Sequence, residues 1–349
     1  MNSSHLTTRA AREGSAPGSG KPVLEVEHLS TCFKTDQGVV TAIDDVSFEL
    51  YAGETLGIVG ESGSGKTVTS KSIMRLLSEH LSFQKEGSVV RFEGKNLVTA
   101  TEDEMRNVRG ARIAMIFQEP MTSLNPVFTI GWQLDEALKY HTKLNRAERK
   151  QRAIEMLELV EMPNAKRRFD EYPHQLSGGM RQRVMIAMAL CCEPDILIAD
   201  EPTTALDVTI QAQILRLMDE LKSKLNTAIM LITHDLGVVA QTCDRVLVMY
   251  AGRVVESAPI AQLFDAPRHP YTKALLSSIP KSGRREHGKR LPTIEGLVPS
   301  LFHLPPGCRF AARCAYRDAH CDAVEPELTD AGPRREVRCH YPLEAPEAN

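Results

Sequence analysis

Residues Gly60-Glu61-Ser62-Gly63-Ser64-Gly65-Lys66-Thr67 follow the apolar run Leu56-Gly57-Ile58-Val59 and match the phosphate-loop pattern G-x-x-x-x-G-K-[ST] at every fixed position. No other stretch constrains the fold so tightly. Such a loop needs a buried strand before it and a helix after it, so that its backbone N–H groups converge on one anion. The glycines and serines let the chain wrap closely. Lys66 adds a full positive charge for the β- and γ-phosphates, and the Thr67 hydroxyl is placed to hold Mg²⁺. These residues predict a nucleoside triphosphate site built from Gly60, Ser62, Gly63, Ser64, Gly65, Lys66 and Thr67, in an α/β chain.

The 349 residues are enough for two domains of about 150 residues each. Forty-two Lys and Arg against 45 Asp and Glu leave a net charge of −3, without the basic excess of a nucleic-acid binder, so no nucleic-acid partner is expected. The first 21 residues lack the apolar core of a secretion signal and read as a disordered leader. The longest apolar run covers the nine residues 184–192, short of the ~18 that span a bilayer. Any membrane role therefore falls to a partner.

Short β-like runs at 23–26, 39–43 and 46–50, with turns at 36–38 and 51–53, predict an antiparallel layer ahead of the phosphate-loop strand. A helix to about Leu77 and strands near 88–92 and 113–117 should follow. Gln118 then stands at a strand's carboxyl end, where open α/β sheets place ligand contacts. Residues 131–169 turn helical: Ala153, Ile154, Leu157 and Val160 recur at helical spacing, which predicts an inserted helical subdomain. Ser177 reads as the N-cap of a helix to Ala189, and Gly178 and Gly179 at its start free backbone N–H groups for a second anion. The run Ile196-Leu197-Ile198-Ala199 delivers Asp200, suited to Mg²⁺, and Glu201, suited to orienting or deprotonating an attacking water. A further strand, 229–233, ends at His234, whose imidazole can hydrogen-bond a γ-phosphate.

In this order the motifs resemble the ATP-binding-cassette family over about residues 23–260; the most specific are Leu176-Ser177-Gly178-Gly179 with Gln182, and Ala205-Leu206-Asp207. The resemblance implies two cassettes packed head to tail, each ATP lying between one phosphate loop and the partner's Ser177-Gly178-Gly179 segment. Gln118, Asp207 and His234 match that family's Q-loop, D-loop and switch histidine; Thr67, Gln118 and Asp200 would hold Mg²⁺, and Phe33 would stack on the adenine. The fold implied is a P-loop NTPase core with an N-terminal antiparallel layer, an inserted helical subdomain and a small cysteine-containing extension. Its boundaries are expected at 1–21 (leader), 22–265 (cassette, helical subdomain about 126–190) and 266–349 (extension).

Residues 117–126 and 172–188, the segment His269-Pro270-Tyr271-Thr272 and the cysteine-bearing tail resemble the dipeptide and oligopeptide importer subfamily. That implies an ATPase subunit energising peptide import through closure of a cassette dimer. A nickel or glutathione importer is the alternative; a soluble non-transport cassette protein fits less well, since there is one cassette and no heptad repeat. The implied partners are a second, related cassette subunit, two transmembrane permease subunits and a periplasmic or extracellular substrate-binding protein. The implied location is peripheral, on the cytoplasmic face of the inner (plasma) membrane. The loop from Gln118 to Asn125, with Met121, Leu124 and Pro126, is the expected membrane-subunit contact.

Of eight cysteines, Cys32, Cys191, Cys192 and Cys243 lie in apolar or mixed surroundings and read as core residues. Cys308, Cys314, Cys321 and Cys339 crowd the tail, separated by five, six and seventeen residues. The tail has few large apolar residues and would gain from a metal crosslink. Four thiolates suffice for a tetrahedral metal or an iron–sulfur cluster, and the wide spacing suits a cluster better than zinc. The importer resemblance likewise implies a structural four-iron four-sulfur cluster on these four residues, with zinc, or reduced or disulfide-bonded cysteines, as alternatives.

Overall fold

A computed structural model describes residues 20–118, 123–203, 207–278 and 294–344. The chain opens on a long hairpin, β1 (Leu24–Thr35) and β2 (Gly38–Leu50), after which β3 (Thr55–Val59) leads into the phosphate loop. Strands β4 (Ser82–Gln84), β5 (Val89–Phe92) and β6 (Lys95–Asn96) return beside the hairpin. Then come β7 (Ile113–Ile116), β8 (Ile196–Asp200), β9 (Ala228–Ile232), β10 (Arg245–Tyr250), β11 (Arg253–Pro259), β12 (Thr329–Gly332) and β13 (Arg335–Val337). The sequence pattern breaks at Asp44-Asp45, yet β2 runs through it. The break is absorbed as bulges in the β1–β2 pairing, with Asp45 at φ +56° and His28 at φ +50°.

Two sheets result. The antiparallel one has the order β2-β1-β5-β6, with β4 also paired to β1. The other has the order β12-β13-β11-β10-β3-β9-β8-β7. In it β10, β3, β9, β8 and β7 run parallel, and β11, β13 and β12 continue it antiparallel.

The parallel strands are apolar on both faces because both are covered. In β8, Ile196 and Ile198 face the antiparallel sheet in one core with Leu24, Phe48, Leu50 and Val90. Leu197 and Ala199 point the opposite way into a second core, as the two-residue period of a strand requires. That core holds Leu134, Leu157, Val184 and Leu217 from the helices Ile130–His141, Arg146–Leu159, Gly178–Leu190 and Val208–Leu225.

Register places the site. Ile58 lies opposite Ile232, Ile232 opposite Asp200, and Ala199 opposite Ile116. The carboxyl ends of β3, β9, β8 and β7 thus emerge along one edge, which brings Gly60, His234, Glu201 and Gln118 to the same crevice.

The tail is part of this architecture. Besides adding β12 and β13, it sends five arginines into cassette carboxylates: Arg309 to Asp44 (2.5 Å), Arg313 to Glu61 (2.6 Å), Arg334 to Glu54 (2.9 Å), Arg335 to Glu256 (2.7 Å) and Arg338 to Asp45 (3.0 Å). Phe310 packs against Tyr250 and Tyr271, with ring centroids 5.2 and 5.4 Å away.

Candidate active site

The phosphate loop depends on its glycines for different reasons. Gly60, at φ +153°, lies so close to β10 that a Cβ would fall 2.2 Å from the Met249 carbonyl oxygen; at Gly65, φ +104°, it would fall 2.7 Å from Ile43 Cγ2. Gly63 has open space but sits at φ +77°, a conformation that costs other residues about 1–2 kcal/mol. The helix Lys66–Ile73 starts directly after the loop. It stops earlier than the pattern to Leu77 suggests, with Arg75 at φ +48°.

Lys66 is buried and its Nζ donates to the carbonyls of Gly60 (2.8 Å) and Glu61 (3.0 Å). Burial pushes its pKa down, while the carboxylates of Glu201, Asp200 and Glu61 pull it back up. Ser64 Oγ is buried without a hydrogen-bond partner among the described residues, as suits a loop whose polar groups are meant for an anion.

The Thr67 hydroxyl donates to Asp200 Oδ1 at 3.1 Å, so a hydroxyl and a carboxylate meet as hard oxygen donors that fit Mg²⁺. Burial raises the pKa of Asp200 despite that bond, and the neighbouring Glu201 charge raises it further. A bound Mg²⁺ would neutralise phosphate charge between these two residues. Gln118, grouped with them on sequence, points elsewhere: its amide nitrogen donates to Glu201 Oε2 at 3.0 Å.

Glu201 is where the strand tips converge. Its Oε1 lies 3.1 Å from His234 Nδ1 and its Oε2 takes the Gln118 bond, while its own N–H donates to the Ile232 carbonyl at 2.9 Å. The side chain is 14% exposed against 65% for His234. Glu201 also sits at φ +47°, a strained value for a residue with a side chain and one that no sequence signal announces. The arrangement can hold a water between a carboxylate, an amide and an imidazole.

Ser177 caps its helix by accepting from the Met180 N–H (3.3 Å), and Asp207 caps the helix Val208–Leu225 by accepting from the N–H groups of Thr209 and Ile210. Gly179 packs so close to Ile210 that a Cβ would sit 3.1 Å from Cγ2. Ser177, Gly178, Gly179 and Asp207 are thus neighbours, with Ser177 and Asp207 exposed. Phe33 is half-buried on β1, where it pairs with Val40 and Ser82. Ala205, Leu206 and Met121 lie outside the described residues.

Comparison with known proteins agrees with this geometry. The family described as "ABC transporter" matches residues 43–204, and "Oligopeptide/dipeptide transporter, C-terminal region" matches residues 255–321. A protein of Sinorhizobium fredii described as a peptide ABC transporter ATP-binding protein is 54% identical over 317 residues, covering 91% of this chain and 94% of the relative. This chain belongs to the ABC transporter ATPase family. A Brucella abortus relative described as a peptide import ATP-binding protein is 50% identical over 330 residues, 92% of this chain and 97% of that one. Among solved structures, the dimeric structure of a bacterial ABC transporter cassette is similar with a TM-score of 0.60 and 29% identity, covering 68% of this chain and 98% of the cassette. The chain is an ATPase coupled to transport across a membrane.

Two polar residues of this ATPase carry structural duties that the sequence did not assign to them. Gln182, fully buried, donates to the Pro202 carbonyl and so ties the Ser177 helix to the turn after Glu201. Gln133 accepts from the Asn125 N–H (3.0 Å) and donates to the carbonyls of Asn125 and Phe128, which staples the loop beyond Gln118. The available signal was a glutamine inside an apolar helical stripe, Ile130, Gln133, Leu134 and Leu138. In that loop Leu124 is buried in the core, so it anchors the segment rather than facing a partner. Pro126 is exposed, as are the apolar side chains of Val127 (69%), Phe117 and Trp132.

The iron–sulfur expectation is overturned, and the zinc alternative with it. Cys308, Cys314, Cys321 and Cys339 line one apolar pocket with Phe310, Tyr316 and Tyr341. Among the described residues, however, no group of three or more His, Cys, Asp or Glu is disposed to hold a metal ion. Burial pushes all four thiols up, Cys339 to about 11. The premise that the tail lacks other fastening also fails, because the five arginine pairs, the added strands and the Phe310 contacts hold it to the cassette.

Proposed function

We propose that this ATPase drives uptake of di- or oligopeptides as a peripheral subunit on the cytoplasmic face of the inner membrane. Two permease subunits and an external peptide-binding protein complete the assembly. The observation that carries the catalytic part is the convergence of Gln118 and His234 on Glu201 beside the Lys66, Thr67 and Asp200 cluster. Glu201 acts as the base that orients and deprotonates the attacking water, His234 and Gln118 sense the γ-phosphate, and Asp200 and Thr67 hold Mg²⁺. Phe33 stacks on the adenine ring.

The site is shared between two cassettes. Ser177 and Asp207 are exposed, with Gly178 and Gly179 half-buried between their helices, in keeping with a role on the partner's nucleotide, and the similar solved cassette is dimeric. The partner is a related, non-identical subunit. Peptide cargo is favoured by the C-terminal match and by the relatives' descriptions.

Uptake of labelled dipeptides and tripeptides, measured beside nickel in a strain carrying Lys66→Ala, tests the cargo. Loss of peptide uptake alone is expected, and loss of nickel uptake alone refutes the peptide reading. A specific ATPase rate that stays constant across a wide dilution series refutes the shared site.

A further inference from the structure

Glu61 occupies a variable position of the phosphate loop, yet all its polar groups are engaged. Its carboxylate receives a bidentate pair from Arg313, Nη1 to Oε2 at 2.6 Å and Nη2 to Oε1 at 3.0 Å. Its N–H donates to Tyr271 Oη at 3.0 Å, and its carbonyl accepts from Lys66 Nζ. Tyr271 is fully buried and the Arg313 side chain is 3% exposed. Arg313 is itself braced: it donates to Tyr250 Oη and to the carbonyls of Ile294 and Glu295, and stacks over the Tyr250 ring at 5.7 Å. The Ser64 N–H also donates to the Glu61 carbonyl at 3.2 Å, so two of the four groups that hold Glu61 come from beyond residue 265.

We propose that the C-terminal extension sets the ATP affinity of the phosphate loop, with Arg313 and Tyr271 acting as positioning residues through Glu61. The inference rests on the assignment of this loop to ATP. Glu61 is a negative charge on a loop that must receive a triphosphate, and it lies close enough to act on the Lys66 ammonium. The Arg313 fork compensates that charge and fixes its direction, which leaves Lys66 for the phosphates. Tyr271 fixes the backbone of the same residue, so the loop's N–H groups are preset rather than ordered at the moment of binding. The segment His269-Pro270-Tyr271-Thr272 thereby gains a reason. His269 caps its helix by accepting from the Tyr271 N–H, its own N–H donates to the buried Glu256 carboxylate, and Pro270 starts the turn that delivers the Tyr271 hydroxyl.

The test is MgATP binding to the full chain, together with KM and kcat of the assembled ATPase. Arg313→Gln should weaken MgATP binding and raise KM about tenfold, a change of about 1.4 kcal/mol, with kcat at saturation within twofold. The double variant Arg313→Gln/Glu61→Gln should recover most of that loss, because the uncompensated carboxylate is gone; a purely structural pair would show no recovery. Tyr271→Phe, nearly isosteric, should weaken binding about threefold, roughly the value of one neutral hydrogen bond, and it carries the test if Arg313→Gln does not fold. Affinity within twofold of wild type in Arg313→Gln and Tyr271→Phe, or a double variant no better than the single, overturns the proposal. Wild-type protein that fails to bind MgATP overturns the nucleotide assignment itself.

Discussion

Replacing Glu201 by Gln isolates its chemistry from its architecture. Glu201 Oε2 accepts from the Gln118 amide and Oε1 faces His234 Nδ1 at 3.1 Å. A glutamine can reproduce both contacts: its carbonyl accepts from Gln118, and its amide nitrogen donates to Nδ1 once the imidazole proton moves to Nε2. The φ of +47° is no worse for Gln than for Glu, so folding stability should hold to within about 0.5 kcal/mol, as for a change that removes no packing. What is lost is the base. A positioned base contributes about 10²–10⁴-fold, or about 2.7–5.4 kcal/mol of barrier at 1.36 kcal/mol per decade. Phosphate release by the assembled transporter should fall by that factor, while MgATP binding and the melting temperature of the subunit stay near the native values. Turnover within tenfold of native would refute the role given to Glu201, and a large fall in melting temperature would show that the contacts, not the base, were being removed.

Lys66→Ala should act on binding: the ammonium held at the Gly60 and Glu61 carbonyls is the charge offered to the phosphates, and equilibrium titration should show MgATP affinity falling at least about tenfold. Asp44 governs acid stability. Burial alone would raise its pKa, but the hydrogen bonds from Arg253 and Lys85 and the Arg309 charge carry it well below the usual carboxylate range. A depressed folded pKa gives stability that is present above pH of about 4 and lost as pH falls further. Asp44→Asn should cost about 2 kcal/mol at pH 7, between exposed and buried pairs, seen as about 3 °C in melting temperature for a chain of this length. It should also flatten the loss below pH of about 4; an unchanged acid profile would refute the assignment. In the loop beyond Gln118, Leu124→Glu should destabilise the fold through an unpaired buried charge, whereas Val127→Glu should leave folding and ATPase activity intact and reduce transport. Normal uptake by the Val127 variant would exclude that surface as the membrane contact.

The sequence by itself determined the α/β class and the family, because these rest on local rules. A phosphate loop between strand and helix, apolar runs ending in polar residues, and Ser177 before two glycines are patterns of a few adjacent residues whose geometry is nearly context-free. The tertiary structure decided what depends on register and long-range charge. That Gln118 meets Glu201 follows from the register of β7 against β8, in which Ile116 pairs with Ala199 and the residues two positions on come level. Glu201 takes a φ of +47° beside its bond to Ile232 on the neighbouring strand, and sequence spacing carries no trace of either. Leu124 was legible as apolar but not as buried, because Gln133 folds its loop inward. The tail was misread for the same reason. Its arginines and the carboxylates of Asp44, Asp45, Glu54 and Glu61 are separated by more than 250 residues, so composition alone showed a segment too poor in apolar residues to hold itself. Only the folded chain reveals that the missing core is replaced by ion pairs made with another part of the molecule.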